Sequence, residues 1–242
     1  MIIRRKKKAE KISKGFVFSA FSPLRLIGKP IIIGFQSDQL KVVEINRNIA
    51  NKLILENHYS KKFYNASYIH LGCYIKEELV GVLQFGYAMN PNSMGSVVKG
   101  TELNEYLELN RMWFKGGVFK NIKSMAISYS FKYIKYKYPD IKWIQSFADE
   151  RCFKFGIVYQ ASNFTYHGEH TAIFWEFDGV YYHNSLMTRN PNLSKSAKYI
   201  QDNREKAVKY TLRQFRYLYF LKPKERKNCL IPQQKYPKHY KE

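Results

Sequence analysis

The sequence predicts an α/β fold, and three observations carry the prediction. Short runs with period-two alternation come in pairs: Tyr68–Tyr74 with Leu79–Phe85 across the charged turn Lys76-Glu77-Glu78, and Ile173–Phe177 with Val180–Tyr182 across Asp178-Gly179. One longer segment, Asn121–Tyr138, repeats Ile122, Met125, Ala126, Tyr129 and Tyr133 at helical spacing between the strand patterns Tyr106–Phe114 and Ile141–Phe147. Finally, 45% hydrophobic residues, 17% of the chain being aromatic, supply the core of one medium domain in 242 residues.

The elements follow in order. Residues 1–15 carry seven Lys/Arg against one acid and read as a basic arm, either bound to a polyanion or simply solvated. Residues 16–36 are apolar and punctuated by Ser22-Pro23 and Lys29-Pro30, with Ile31–Phe35 as an extra strand. Lys41–Ile45 alternates like a strand, and Asn46–Asn57 follows as a helix with Ile49, Leu53 and Ile54 on one face. After the first hairpin, residues 88–105 read as a long polar loop of functional or mobile character. In Tyr106–Phe114, Leu107 and Leu109 alternate with Glu108 and Asn110, and Arg111 falls on the leucine phase, where it needs a partner such as Glu108, Asp149 or a phosphate. Gly116-Gly117 breaks this strand and Pro139 ends the helix after it. From Asn192 onward fourteen Lys/Arg face four acids and interleave with aromatics, and Asp202–Tyr219 reads as a helix.

A formal charge of +22 points to a polyanionic partner, nucleic acid first, over a membrane surface. Cys73, Cys152 and Cys229 lie far apart without metal-ligand spacing, which implies a reducing compartment and no disulfide framework. No apolar run reaches membrane-helix length, and Phe16–Phe21 is too broken for a secretion signal, so the expectation is a cytoplasmic protein with no membrane partner.

The chemistry concentrates in Trp143–Gly168. An apolar run crosses into an acid at Ser146-Phe147-Ala148-Asp149, as a buried strand does when it delivers a carboxylate to its end. Gly156–Phe164 reads as a short helix with Ile157, Val158 and Ala161 on its apolar face and Asn163 as its stop. Strand, acid, short helix with a tyrosine, then Asn-Phe resembles the acetyl-CoA-dependent N-acyltransferases of the GNAT superfamily. More narrowly, the chain resembles the phage Mom family of DNA adenine-modification proteins. The residues that carry this are His58-Tyr59, Glu108-Leu109-Asn110-Arg111, Asn121 with Ser124, Ser146–Asp149, and Tyr159-Gln160-Ala161-Ser162-Asn163-Phe164, over roughly residues 55 to 170. Two departures stand out. The turn Lys115–Ser124 does not fit the superfamily's Gln/Arg-x-x-Gly-x-Gly/Ala signature, and Phe153-Lys154 replaces a Gly-His of the family.

The resemblance implies a GNAT-like mixed, mostly antiparallel central sheet with two splayed parallel strands flanked by helices. Residues 1–39 are then a basic arm and lead-in, 40–190 the catalytic domain, and 191–242 a basic, aromatic-rich extension. It further implies modification of adenine N6 in double-stranded phage DNA within the host cytoplasm, to block restriction. An acyl-CoA-like donor, acetyl-CoA among the options, would lie against Asn121, Ser124 and Asn163. One acetyl transfer cannot join N6 to the CH₂ of a methylcarbamoyl group, so the donor stays open. His58, Tyr59, Arg111, Asp149 and Tyr159, with Ser124, would surround an adenine that has left the stack. Blander readings stand beside these: Asp149 as a helix cap, Tyr159 as core packing, His58 as an ordinary histidine, Ser124 as a structural hydroxyl. His167-x-x-His170 with Asp149 could form a metal site, but in a strand that spacing puts the rings on opposite faces, so a metal is not expected. Two other functions fit the charge and fold: an acetyl-CoA-dependent N-acetyltransferase acting on a small amine or protein, and a non-catalytic DNA-binding protein.

Overall fold

The computed structural model describes residues 14–18, 31–152 and 155–238. The basic arm at 1–13, most of the apolar lead-in (19–30) and Phe153-Lys154 lie outside the described residues. In chain order the elements are β1 (Gly15–Phe18), β2 (Ile32–Gln36), β3 (Lys41–Glu44), α1 (Arg47–Asn57), β4 (Ser67–Ile75), β5 (Glu78–Gly86), β6 (Tyr106–Phe114) and α2 (Ile122–Lys137). Then come β7 (Trp143–Asp149), α3 (Ile157–Gln160), β8 (Thr165–Phe177), β9 (Val180–His183), α4 (Ser185–Thr188), α5 (Lys195–Asp202) and β10 (Val208–Phe220). The chain divides into two compact units, residues 1–86 with 110–141, and residues 87–109 with 142–242. Strand β6 contributes to both, Tyr106–Leu109 to the second and Asn110–Phe114 to the first.

In the first unit β1 to β5 pair in sequence order, each antiparallel to the next. Asn46 caps α1 by accepting from the Asn48 N–H. The helix buries Ala50 and Ile54 on Val82, while Ile49, expected on that face, is 48% exposed. Helix α2 buries Ile122, Ala126, Tyr129 and Tyr133 as expected, together with Ile127, Phe131 and Ile134. Tyr133 donates to Glu44, which also holds Lys137 and so ties α2 to β3.

In the second unit the strand order is β6-β7-β10-β8-β9. The β6–β7 pair is parallel and the others are antiparallel. This is the mixed, mostly antiparallel sheet that the resemblance implies. The hairpin of β8 and β9 turns at Asp178 and Gly179, with φ of 52° and 71°, the left-handed pair a tight two-residue turn needs. Two expectations are corrected. The Asp202–Tyr219 segment is not a helix: α5 stops at Asp202, and residues 208–220 form a thirteen-residue strand seated between β7 and β8. Nor is 88–105 wholly a polar loop. Pro91–Ser96 makes a 3-10 turn, and Met94, Val97 and Val98 join Tyr106, Trp143, Leu218 and Phe220 in a buried cluster.

Candidate active site

The parallel ladder of β6 and β7 covers three pairs, Tyr106 with Trp143, Leu107 with Ile144 and Glu108 with Gln145. At the next position the Ser146 hydroxyl, not a backbone amide, reaches the Leu109 carbonyl, 3.1 Å away. The strands therefore stop pairing at Ser146, and α3 brings Tyr159 to that point. The helix opens at Gly156 with φ +80°, where a Cβ would lie 2.4 Å from the Tyr217 ring. The Tyr217 hydroxyl donates to the Phe155 carbonyl and accepts from Gln160 Nε2 at 3.1 Å, which fastens the turn to β10. The helix ends at Gln160, and Asn163, expected as its stop, takes φ 62° at the end of the turn that follows, where the Phe164 N–H returns to the Tyr159 carbonyl at 3.0 Å. The buried face is not Ile157, Val158 and Ala161, since Ile157 is 48% exposed and Ala161 is open to solvent. Tyr159 is buried instead, its ring 5.4 Å from both Phe164 and Tyr217. Burial pushes its phenol up to about 12, against the pull of a hydrogen bond with Ser146. It therefore keeps its proton at neutral pH.

Asp149 ends β7, 5% exposed. Arg151, a residue the sequence reading passed over, grips it: Nε lies 2.9 and 3.0 Å from the two carboxylate oxygens, Nη2 bonds one of them, and the Arg151 N–H donates at 2.9 Å. Arg151 in turn lies over the Phe174 and Tyr181 rings. Burial would raise the Asp149 carboxyl, but these Arg151 bonds and charge outweigh it and hold the pKa below the usual carboxylate value. The Gln214 side chain, opposite Asp149 across the ladder, also lowers the carboxyl by hydrogen bonding, although among the described residues its Nε2 meets no acceptor at full hydrogen-bond geometry. The register separates the two principal candidates. Asp149 shares a sheet face with Phe147, Gln145, Gln214 and Arg216, whereas Tyr159 packs on Tyr217, which projects to the other face.

The first unit holds the remaining candidates. His58 ends α1, 8% exposed, with Nδ1 2.8 Å from the Ser60 hydroxyl and accepting the Ser60 N–H at 3.1 Å. A neutral ring therefore carries its proton on Nε2. Tyr59, 53% exposed, has its ring 4.3 Å from that of His58. The Ser60 hydroxyl lies 3.3 Å from the Lys62 carbonyl, which also accepts from Arg111 Nε at 3.0 Å, so His58 and Arg111 share one network. Arg111 also donates to the Asn110 carbonyl and lies over the Tyr64 ring. Asn121 precedes α2 at φ 68° and makes no side-chain cap, while Ser124 donates back to its carbonyl at 2.9 Å. A Cβ on Gly116 or Gly117 would meet nothing within 4 Å, and the first turn of α2 carries no acid. Such a helix start fits a pyrophosphate.

His167 and His170 do not converge. His167 is buried between the Thr165 hydroxyl and the Ile231 carbonyl, each at 2.8 Å, and His170 sets its edge on Phe147. Among the described residues no group of three or more His, Cys, Asp or Glu side chains is placed to hold a metal, and no helix is long and apolar enough to cross a membrane.

A family model described as the Mom protein family matches residues 39–238. The chain belongs to that family. Over 224 residues it is 43% identical to the methylcarbamoylase Mom of Escherichia phage Mu, covering 88% of this chain and 93% of that one. The Mom match runs through β10, so the misread strand lies within the family's span. Among solved structures, the ribosomal-protein-S5-alanine acetyltransferase of Vibrio fischeri is 11% identical at a TM-score of 0.47, covering 78% of this chain and 96% of that one. The spermidine/spermine N-acetyltransferase of Vibrio cholerae is 10% identical at 0.46, covering 78% and 96%. At these scores neither likeness bears on the site.

Proposed function

We propose that this chain is a transferase that places a methylcarbamoyl group on the N6 amine of adenine in double-stranded DNA. The 43% identity to a methylcarbamoylase over nearly the whole chain carries the reading, and the charge of +22 suits a polyanionic substrate. The target adenine must leave the helical stack for N6 to react. As the nitrogen bonds to the incoming carbon it gives up one proton, and the group displaced from the donor takes one up.

Tyr159 is suited to the second transfer, because its phenol stays protonated and lies where β6 and β7 stop pairing. Asp149, held ionised by Arg151, is a weak base and is better suited to accept a hydrogen bond from the N6 amine and orient it. His58, Tyr59 and Arg111 are proposed to contribute to catalysis, and within the first unit His58 and Arg111 share one hydrogen-bond network. An acyl-CoA-like donor would find uncapped backbone amides at the start of α2, beside Asn121 and Ser124. Bound there, such a donor supplies the activated group.

The test is nucleoside mass spectrometry on DNA from cells making the protein. Tyr159→Phe should lower the adenine adduct by about 100-fold or more while thermal unfolding stays close to wild type. An unmodified DNA pool with the wild-type chain, or a full adduct level with Tyr159→Phe, overturns the proposal.

A further inference from the structure

One face of the second unit carries buried polar atoms that meet no hydrogen-bond partner among the described residues. Arg216 projects from the middle of β10, opposite Phe147, with its guanidinium 5.3 Å from that ring. It is half-buried, its pKa is lowered by desolvation, and among the described residues no acid lies within salt-bridge distance of it. Its Nε is shielded from water and makes no hydrogen bond. Two glutamines on the same face share this condition. Gln145 is 1% exposed and donates to Glu108 at 2.8 Å, leaving Oε1 without a donor. Gln214 Nε2, near the Asp149 carboxylate, meets no acceptor at full hydrogen-bond geometry among the described residues. Gln145 pairs with Leu218 and Gln214 with Asp149, so the glutamines lie four register positions apart with Arg216 between them, about 13 Å along the ladder. Phe147 forms the floor, and the exposed His170 edges against it at 5.2 Å.

Buried polar groups in folded proteins are almost always satisfied, and clustered exceptions mark places where a ligand supplies the missing partner. The pattern here is two donors, one of them cationic, and one acceptor around an aromatic ring. An adenine edge is its complement: N1 and N7 accept, and N6 donates. A glutamine amide pairs with that edge through just these atoms. Guanine, with O6 and a protonated N1, meets the same groups with one donor and one acceptor exchanged.

We propose that Arg216, Gln145 and Gln214 form the seat that receives and selects the extruded adenine, stacked on Phe147 in the place where the Arg216 guanidinium now lies. Donors on β10 take the ring nitrogens, and Gln145 Oε1 takes an N6 hydrogen. Gln145 immediately precedes Ser146, so N6 is held beside the point where β6 and β7 stop pairing. Arg216 is in this scheme a specificity-determining residue. The inference rests on the adenine-modification reading above.

The test combines three readouts on the full chain. Calorimetric titration with deoxyadenosine monophosphate and its guanine, cytosine and thymine counterparts should give saturable binding with at least tenfold preference for adenine. Arg216→Met should lose that binding at least tenfold and the cellular DNA adduct with it, yet melt at or above the wild-type temperature, because a charge without a partner has been removed. A merely structural arginine predicts a lower melting temperature. Arg216→Lys keeps the charge but not the planar fork and should lose the adenine preference, which covers the case where the methionine variant does not fold. Equal binding of the guanine and adenine nucleotides, or an adduct level within twofold of wild type in Arg216→Met, overturns the seat. A wild-type chain that binds the adenine nucleotide through Arg216 but leaves cellular DNA unmodified supports the seat and sinks the proposed reaction.

Discussion

Removing Arg151 tests whether Asp149 is held as its geometry implies. Asp149 is 5% exposed and is gripped by Arg151, whose side chain is 19% exposed, through both carboxylate oxygens and the Arg151 N–H. Arg151→Met removes the cation that grips this buried carboxylate, a loss on the order of 3–5 kcal/mol for breaking one side of a buried pair. At roughly 2–4 °C per kcal/mol for a chain of this length, the melting temperature should fall by about 6–20 °C at pH 7.5. The sign of the pH dependence follows from the two terms acting on the carboxyl. With Arg151 present the folded pKa is depressed, so the pair stabilises above the unfolded carboxyl pKa of 3.8 and is lost as pH falls through the lower folded value. Without Arg151 burial, the largest cause, outweighs the small lowering by Gln214, the folded pKa rises, and the damage shrinks as acid protonates the group. Scanning calorimetry of both proteins at pH 7.5 and 4.5 should therefore show a smaller gap at the lower pH. Asp149→Asn combined with Arg151→Met should recover most of the loss, since neither charge is then stranded. An equal gap at both pH values, or a neutral-pH gap under about 2 °C, which at the same slope is less than about 1 kcal/mol, would refute the buried pair.

Two further outcomes follow from packing and burial. Gly156→Ala should unfold at lower urea, because φ +80° is strained for an L side chain and the new Cβ meets the Tyr217 ring at 2.4 Å; a loss of about 1–3 kcal/mol is expected, and an unchanged midpoint would contradict the packing of α3 on β10. His70, His167, His170 and His183 are all pushed below the ordinary histidine value, mainly by desolvation. The unfolded chain therefore binds protons first, and wild-type stability should fall as pH drops below 6.5, with His167→Gln, which removes one of the four, showing a shallower slope in calorimetry between pH 7 and 5.

Most of the sheet was legible because period-two alternation survives in every strand that solvates one face. The failure at β10 has a physical cause. Phe215, Tyr217 and Tyr219 fill one face, while Arg216, Leu218 and Phe220 fill the other, so a strand covered on both sides shows little alternation. Its lysines, arginines, leucines and glutamine are good helix formers, and only pairing with the distant β7 and β8 decides otherwise. Helix α3 was placed correctly but faced wrongly, since a single turn has no periodicity to read. Its inward side is set by Tyr217, on a strand nearly sixty residues away in sequence. In 88–105 the signal was present in Met94, Val97 and Val98, an apolar set at helical spacing inside a polar stretch.

The site divides along the same line between local and distant information. Arg151 stands two residues from Asp149, and the Asp-x-Arg spacing alone could have raised it. Arg216 could not be found without the β10 register, because its meaning lies in what it faces. That register also changes how the proposed reaction must be arranged. A carboxylate and a phenol on opposite faces of one sheet cannot grip the same atom where the strands are paired. They can act on one bond only where the ladder stops, beyond Glu108 and Gln145, with the base arriving on the face of Asp149 and Arg216 and the donor's displaced group leaving toward Tyr159. Variants on the two faces should then fail differently: Arg216→Met at adenine binding, Tyr159→Phe after it, with nucleotide affinity intact. A loss of nucleotide affinity in Tyr159→Phe would place both groups on one side of the reaction and contradict the two-faced arrangement.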